Sequence, residues 1–97
     1  MTRIIYAPQA QADLVEIGGY IALDSERVAE AFVAKLRAKV RRISLAPGIY
    51  RVRDDVAPGT RSAAVGSHVI LFRLVDNGVE ILRIVHGARD LKRLFEG

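Results

Sequence analysis

The apolar positions along this 97-residue chain change period twice, and the changes mark out its elements. Arg3-Ile4-Ile5-Tyr6 is short and β-prone, and reads as an edge strand. Ala7-Pro8 then opens a helix, with proline at its first position. Ala10, Leu14, Ile17 and Ile21 recur at helical spacing. Asp24-Ser25-Glu26 restarts the chain, Asp24 as the expected cap and Glu26 in a first turn, where acids suit the helix dipole. Ala29, Phe32, Leu36, Val40 and Ile43 form the stripe of a second helix, which Pro47-Gly48 ends. Two helices joined so closely make an antiparallel hairpin. Ile49 to Gly59 has no clear period and reads as a loop. Thr60–Val65 is a weak strand, and His68–Val75 and Val79–His86 are strong ones. The expected fold is α+β, in the order β-α-α-β-β-β: a helical hairpin on one face of a small antiparallel sheet, with a short C-terminal tail.

Turn chemistry sets the strand registers. Gly66-Ser67 suits a two-residue turn with glycine first. Asp76-Asn77-Gly78 allows two pairings. A two-residue Asn-Gly loop sets Phe72 opposite Arg83 and Ile70 opposite Val85. A three-residue loop, with Gly78 left-handed, sets Phe72 opposite Leu82 and Ile70 opposite Ile84. The second keeps bulky apolar residues together, and a one-residue slip would undo it. One face then carries Ile70, Phe72, Leu74, Leu82 and Ile84, and is assigned to the helices. The other carries Val69, Leu71, Ile81 and Val85 with Arg73 and Arg83, and only the tail is left to cover it. An apolar face of that kind marks a partner site. Arginines inside it are expected to meet a partner's carboxylates.

Composition narrows the class. Apolar residues are 51% of the chain and charged residues 27%, which fits one globular domain over residues 1–97. No cysteine is present, so disulfides and thiolate metal sites are excluded; with only His68 and His86 beside the carboxylates, neither a metal site nor a cofactor is expected. No run reaches the ~18 apolar residues of a membrane span, and the first residues carry no signal peptide, so the chain reads as cytoplasmic. Net charge is +4, unevenly placed: residues 31–61 hold eight bases and two acids. A basic half suggests an anionic partner, nucleic acid or acidic protein, although a solvated helix face explains Lys35 to Arg42 as well.

The stretches "YAPQAQADLVEIGGYI", "APGTRSAAVGSHVILFRL" and "GVEILRIVHGARDL", in that order and spacing, resemble the ParE branch of the RelE/ParE toxin superfamily over essentially the whole chain. The resemblance implies a bacterial toxin paired with an antitoxin. ParE-like members poison DNA gyrase, whereas RelE-like members cut mRNA on the ribosome. The nuclease branch needs basic residues on the open sheet face and a tail tyrosine. Matched along the strands, those positions fall on Thr60, Ser62, Val69, Arg89 and Phe95, so only Arg89 keeps the required type. General acid–base work is beyond valine or phenylalanine. The expectation is therefore a gyrase-inhibiting binder, not an enzyme, held in a hetero-oligomer by a ParD-like antitoxin and meeting nucleic acid only through that complex. The alternatives are a RelE-like nuclease using His86 and Arg89, and a relic that only binds antitoxin. Arg73, Arg83, Arg89, Lys92 and Arg93 are the expected antitoxin- or target-binding cations. The tail from Asp90 is expected to dock through Leu91, Leu94 and Phe95. His86 is expected to lie opposite His68 as strand-end packing.

Overall fold

The computed structural model describes residues 2–95 and follows that order of elements, with one short strand more. β1 (Arg3–Tyr6) leads into α1 (Pro8–Ala22) and α2 (Glu26–Leu45). A 3-10 turn (Pro47–Ile49) and β2 (Arg51–Val52) follow, then β3 (Thr60–Val65), β4 (His68–Val75), β5 (Gly78–His86) and a tail turn (Leu91–Phe95). The sheet order is β1-β5-β4-β3-β2. It is mixed rather than purely antiparallel, because β1 runs parallel to β5. β2 lies within the segment expected to be loop. Among the described residues, no helix is long and apolar enough to cross a membrane.

Pro8 sits at the start of α1 as expected, but the cap of α2 is Ser25, not Asp24. Its hydroxyl oxygen accepts the Val28 N–H at 3.2 Å, which satisfies one of the donors a helix start leaves free. The helices bury Ala10, Leu14, Leu36, Val40 and Ile43 against the sheet residues Ile70, Phe72, Val79, Ile81 and Ile84. Tyr50 closes this core at one end, edge-on to Phe72 with ring centroids 5.9 Å apart.

The turn at Gly66-Ser67 forms as expected, with Val65 paired to His68 and Gly66 at φ 57°. The β4–β5 hairpin differs from both expected registers. The left-handed residue is Asn77 (φ 64°), not Gly78, and Val75 pairs directly with Gly78. Phe72 therefore faces Ile81. A bulge beside Leu71/Phe72 then takes up Leu82, so that Ile70 still meets Ile84 and His68 still meets His86. The extra residue reverses which side chains point inward below it. Ile81, expected on the open face, belongs to the core; Leu82, expected in the core, is half-buried outside it; and Leu74 is 48% exposed. Gly78 has a different task. A Cβ there would overlap the backbone of Arg3, so β1 can lie against β5 only because this residue has no side chain.

The outer face also departs from expectation. Leu71 and Val85 are buried, and Val69 is half-buried. Val56, from the loop between β2 and β3, is buried, while Leu91 and Leu94 of the tail are half-buried. With both helices on the opposite side, that loop and the tail are what the chain has to lay over this face. The two lie near each other, since the Lys92 charge helps lower the Asp55 carboxyl, whose main partner is Arg53. The face is thus not the open apolar surface the sequence suggested.

Candidate functional site

β1 ends at Tyr6 opposite Ile81, and beyond it the edge of β5 has no strand neighbour among the described residues. α1 takes over that edge. Asp13, buried on its inner side, accepts the Ile84 N–H at 2.8 Å, replacing the partner that β1 no longer supplies. The same carboxylate receives the Arg83 guanidinium in two bonds, Nε to Oδ2 at 2.8 Å and Nη2 to Oδ1 at 3.0 Å. This two-pronged, charge-assisted geometry is the strong form of an ion pair. The Asp13 hydrogen bond outweighs desolvation and raises the Arg83 pKa, so its charge is fixed. Arg83 was expected to meet a partner's acid; its fork is already filled from within the chain. Arg73 is also paired, to its cross-strand neighbour Glu80 at 2.6 Å, but its side chain stays 55% exposed.

Beside this pair lies a cleft of about 340 Å³ between α1 and the end of the sheet. Ile17, Ile21, Ile84 and Val85 form its apolar lining; Glu16, Tyr20, His68, His86 and Arg89 supply its polar groups. Strand pairing brings the two imidazoles together at 5.5 Å between centroids, as expected. His68 also packs on Phe32 at 5.2 Å. Its Nδ1 is buried with no hydrogen-bond partner. Burial first, and the nearby His86 second, push its pKa below the ordinary histidine value, so the neutral ring is favoured. His86 is exposed, and its Nδ1 accepts the Ala88 N–H at 3.1 Å, which places the proton of the neutral ring on Nε2. No group of three or more potential ligands for a metal ion exists among the described residues.

The chain leaves β5 through a tight crossing. The Gly87 N–H donates to the Ser67 carbonyl at 2.8 Å, and a Cβ on Gly87 would stand 3.3 Å from that oxygen and from Val69 Cγ2. Arg89 then returns toward the cleft, its N–H donating to the His86 carbonyl at 3.1 Å. Asp90 pairs with Arg93 across 3.6 Å rather than with Arg89, and both side chains are exposed. Phe95, expected to help dock the tail, is 38% exposed.

The structure thus gathers Arg89 and His86 at one cleft and leaves Arg73, Lys92 and Arg93 exposed on the surface. It commits Arg83, Leu71, Ile81 and Val85 to the interior of the fold. Asp13 and Glu16 were not assigned a role from the sequence. The signal for Asp13 was present: it lies three residues after Ala10 and next to Leu14, on the apolar stripe of its helix, where an acid needs a partner.

Residues 4–91 match the family described as ParE toxin of type II toxin-antitoxin system, parDE. Toxin ParE1 of Mycobacterium tuberculosis is 32% identical over 95 residues, covering 95% of this chain and 96% of that protein. Toxin ParE3 of Caulobacter vibrioides is 35% identical over 92 residues, covering 94% and 92%. Among solved structures, the chromosomal ParDE TA system from P. aeruginosa contains a chain with the same fold, at a TM-score of 0.76 and 24% identity, over 89% of this chain and 96% of that one. The RelBE2 toxin–antitoxin complex from Mycobacterium tuberculosis matches at a TM-score of 0.58 and 26% identity, over 88% and 96%.

Proposed function

Since the chain belongs to the ParE toxin family of type II toxin–antitoxin systems, we propose that it acts by binding and inhibiting DNA gyrase, as a protein inhibitor rather than an enzyme, and that a ParD-like antitoxin neutralises it in a hetero-oligomer. The observation that carries this reading is the chemistry at the places where the nuclease branch works. Thr60 is buried, Ser62 and Val69 are half-buried, and Phe95 has no hydroxyl. None can take a proton from a 2′-hydroxyl, and with Arg83 held by Asp13 the charge needed beside a phosphorane would rest on Arg89, with help only from Arg73.

Arg73, Arg89, Lys92 and Arg93 are the cations we assign to partner contacts. The Arg73–Glu80 pair is exposed, and pairs of that kind contribute only ~0–1 kcal/mol, so a partner's carboxylate can take the place of Glu80 at little cost. Arg83 is removed from that set and assigned to the fold.

The test sets the purified chain against gyrase supercoiling and against ribosome-bound mRNA in parallel, each with and without the antitoxin encoded beside it. Supercoiling should stop, mRNA should stay intact, and the antitoxin should restore supercoiling. The nuclease alternative rests on one observation, that His86 and Arg89 line the same cleft. Cutting of ribosome-bound mRNA that His86→Gln abolishes would establish it and overturn the gyrase reading. Antitoxin binding with neither activity would identify a relic.

A further inference from the structure

At the corner where α2 passes into β2, three bulky apolar side chains stand in solvent within eight positions. Leu45 is 78% exposed, Ile49 79% and Val52 49%. Single exposed apolar residues need no explanation, but a group held on a rigid corner does. This one is held. The Arg61 guanidinium donates to the Tyr50 carbonyl at 2.8 Å and to the Gly48 carbonyl at 3.4 Å, and Tyr50 is anchored edge-on against Phe72.

Charge around the corner is predominantly positive. Arg41, Arg42 and Arg51 are exposed, and none has an ion-pair partner among the described residues. The two acids of residues 31–61 are already used: Asp55 holds Arg53 in two bonds of 3.0 Å, and Asp54 accepts the Gly59 N–H at 2.9 Å. We propose that this corner is a protein-docking surface for a partner segment in which acidic and aliphatic side chains are interleaved. It is separate from the His68–His86 cleft and does not depend on gyrase being the target.

Three observations select that occupant. Phosphate recognition would use the arginines but leave the aliphatic trio wet. Single-stranded nucleic acid also asks for an exposed stacking platform. The corner's aromatic ring, Tyr50, is turned inward under Lys39, whose Nζ is 5.3 Å from the ring centre. β2 has only two residues, too short an edge to recruit a strand through its backbone, so recognition falls to side chains. Aliphatic groups flanked by carboxylates match both features the corner presents.

The test titrates the purified full chain, by fluorescence anisotropy, against a labelled peptide of alternating leucine and glutamate. Controls are the same peptide with serine for leucine, the same with lysine for glutamate, and a short DNA duplex. The acidic aliphatic peptide should bind at least ~10-fold more tightly than either altered peptide, about 1.4 kcal/mol. Ile49→Ser, and separately the Arg42→Gln/Arg51→Gln double variant, should each weaken it ~10-fold with unchanged thermal melting. These side chains are exposed, so the variants are expected to fold. Peptide binding indifferent to both variants overturns the proposal. A duplex that binds more tightly than the peptide and ignores Ile49→Ser overturns it in favour of nucleic acid. Concentration-dependent dimers in sedimentation, lost in Ile49→Ser, overturn it in favour of a second copy of this chain, whose hairpin tip carries exposed Tyr20 and Leu23 beside Asp24 and Glu26.

Discussion

Replacing Asp13 with alanine should damage the fold more than any surface change, and the structure says by how much. The substitution strands two groups together. The Arg83 guanidinium, whose side chain is only 15% exposed, loses both its bonds, and the Ile84 N–H loses its acceptor. Removing one partner of a buried charge pair destabilises by about 3–5 kcal/mol, and an unsatisfied buried N–H by about 1–3 kcal/mol. The two do not add, because one carboxylate serves both, and the residual exposure of Arg83 lets some water in. We expect a loss near ~3 kcal/mol. In a domain of this size 1 kcal/mol moves Tm by ~4–8 °C, so melting should fall by roughly 12–24 °C. Asp13→Asn keeps an oxygen for the Ile84 N–H and should lose less. Arg83→Met in the Asp13→Ala background removes the stranded charge and should recover part of the loss. The measurements are urea unfolding and thermal melting, with wild type, Asp13→Ala, Arg83→Met and the double variant read as a double-mutant cycle. A loss under ~1 kcal/mol in Asp13→Ala, or no recovery in the double variant, refutes the argument. So does an Arg83→Ala protein that melts normally but has lost its antitoxin, because that would return Arg83 to the partner surface.

Gly78→Ala sets a Cβ against the Arg3 backbone and should release β1, with a loss above ~2 kcal/mol and faster amide exchange at Ile4 and Ile5; unchanged exchange there would contradict the packing described. His68 is favoured neutral in the fold, so the unfolded chain binds more protons and stability must rise with pH through the window just below the ordinary histidine value of about 6.5. Melting followed between about pH 5 and 7.5 should show that slope, and it should flatten in His68→Gln; equal slopes would rule out His68 as its source. Truncation after Asp90 removes half-buried Leu91 and Leu94 with exposed Lys92, Arg93 and Phe95, and should lower Tm by ~4–8 °C while reducing gyrase inhibition; a larger collapse would make the tail part of the core.

Helix periodicity and the tightest turn were legible in this sequence, and pairings between elements were less so. The stripes of α1 and α2, the Pro8 start and the turn at Gly66-Ser67 all follow from patterns within a few residues, and the structure has them. The facing of His68 and His86 also holds, because the bulge cancels the one-residue error in the hairpin register, whereas the cap of α2 was placed one residue early. The register between Phe72 and Gly78 was misread because alternation alone cannot reveal a bulge. Val79, Ile81 and Leu82 put apolar side chains at both parities, so either looks satisfied. The pairing of Arg83 within the chain was not foreseen for a different reason. Its partner is 70 positions away, on a helix whose apolar stripe drew the eye away from the one acid within it. β2 was missed because two residues are too few to show a period. At the cleft, His86 and Arg89 were visible in the "HGARD" ending and His68 in its expected place opposite His86, but the wall contributed by Glu16 and Tyr20 needed the fold.

The pairing of the first strand with the last has a consequence for how the molecule comes into being. Chains are made from the N-terminus, so Arg3–Tyr6 emerges first and then waits. Its neighbours, Gly78–Ile81, are among the last fifth of the chain to appear. The Asp13 carboxylate waits as long for Arg83 and Ile84. Until then the helical hairpin has no sheet beneath it, and its apolar stripes stay open to solvent. Contacts this distant in sequence also slow the folding step itself, because the loop must close before they reward it. A growing chain therefore lacks both pairings for most of its synthesis, and one interrupted before Gly78 never acquires them. On the proposed function, the interval between release and completed folding is the period in which an antitoxin already present in the cell would have the advantage.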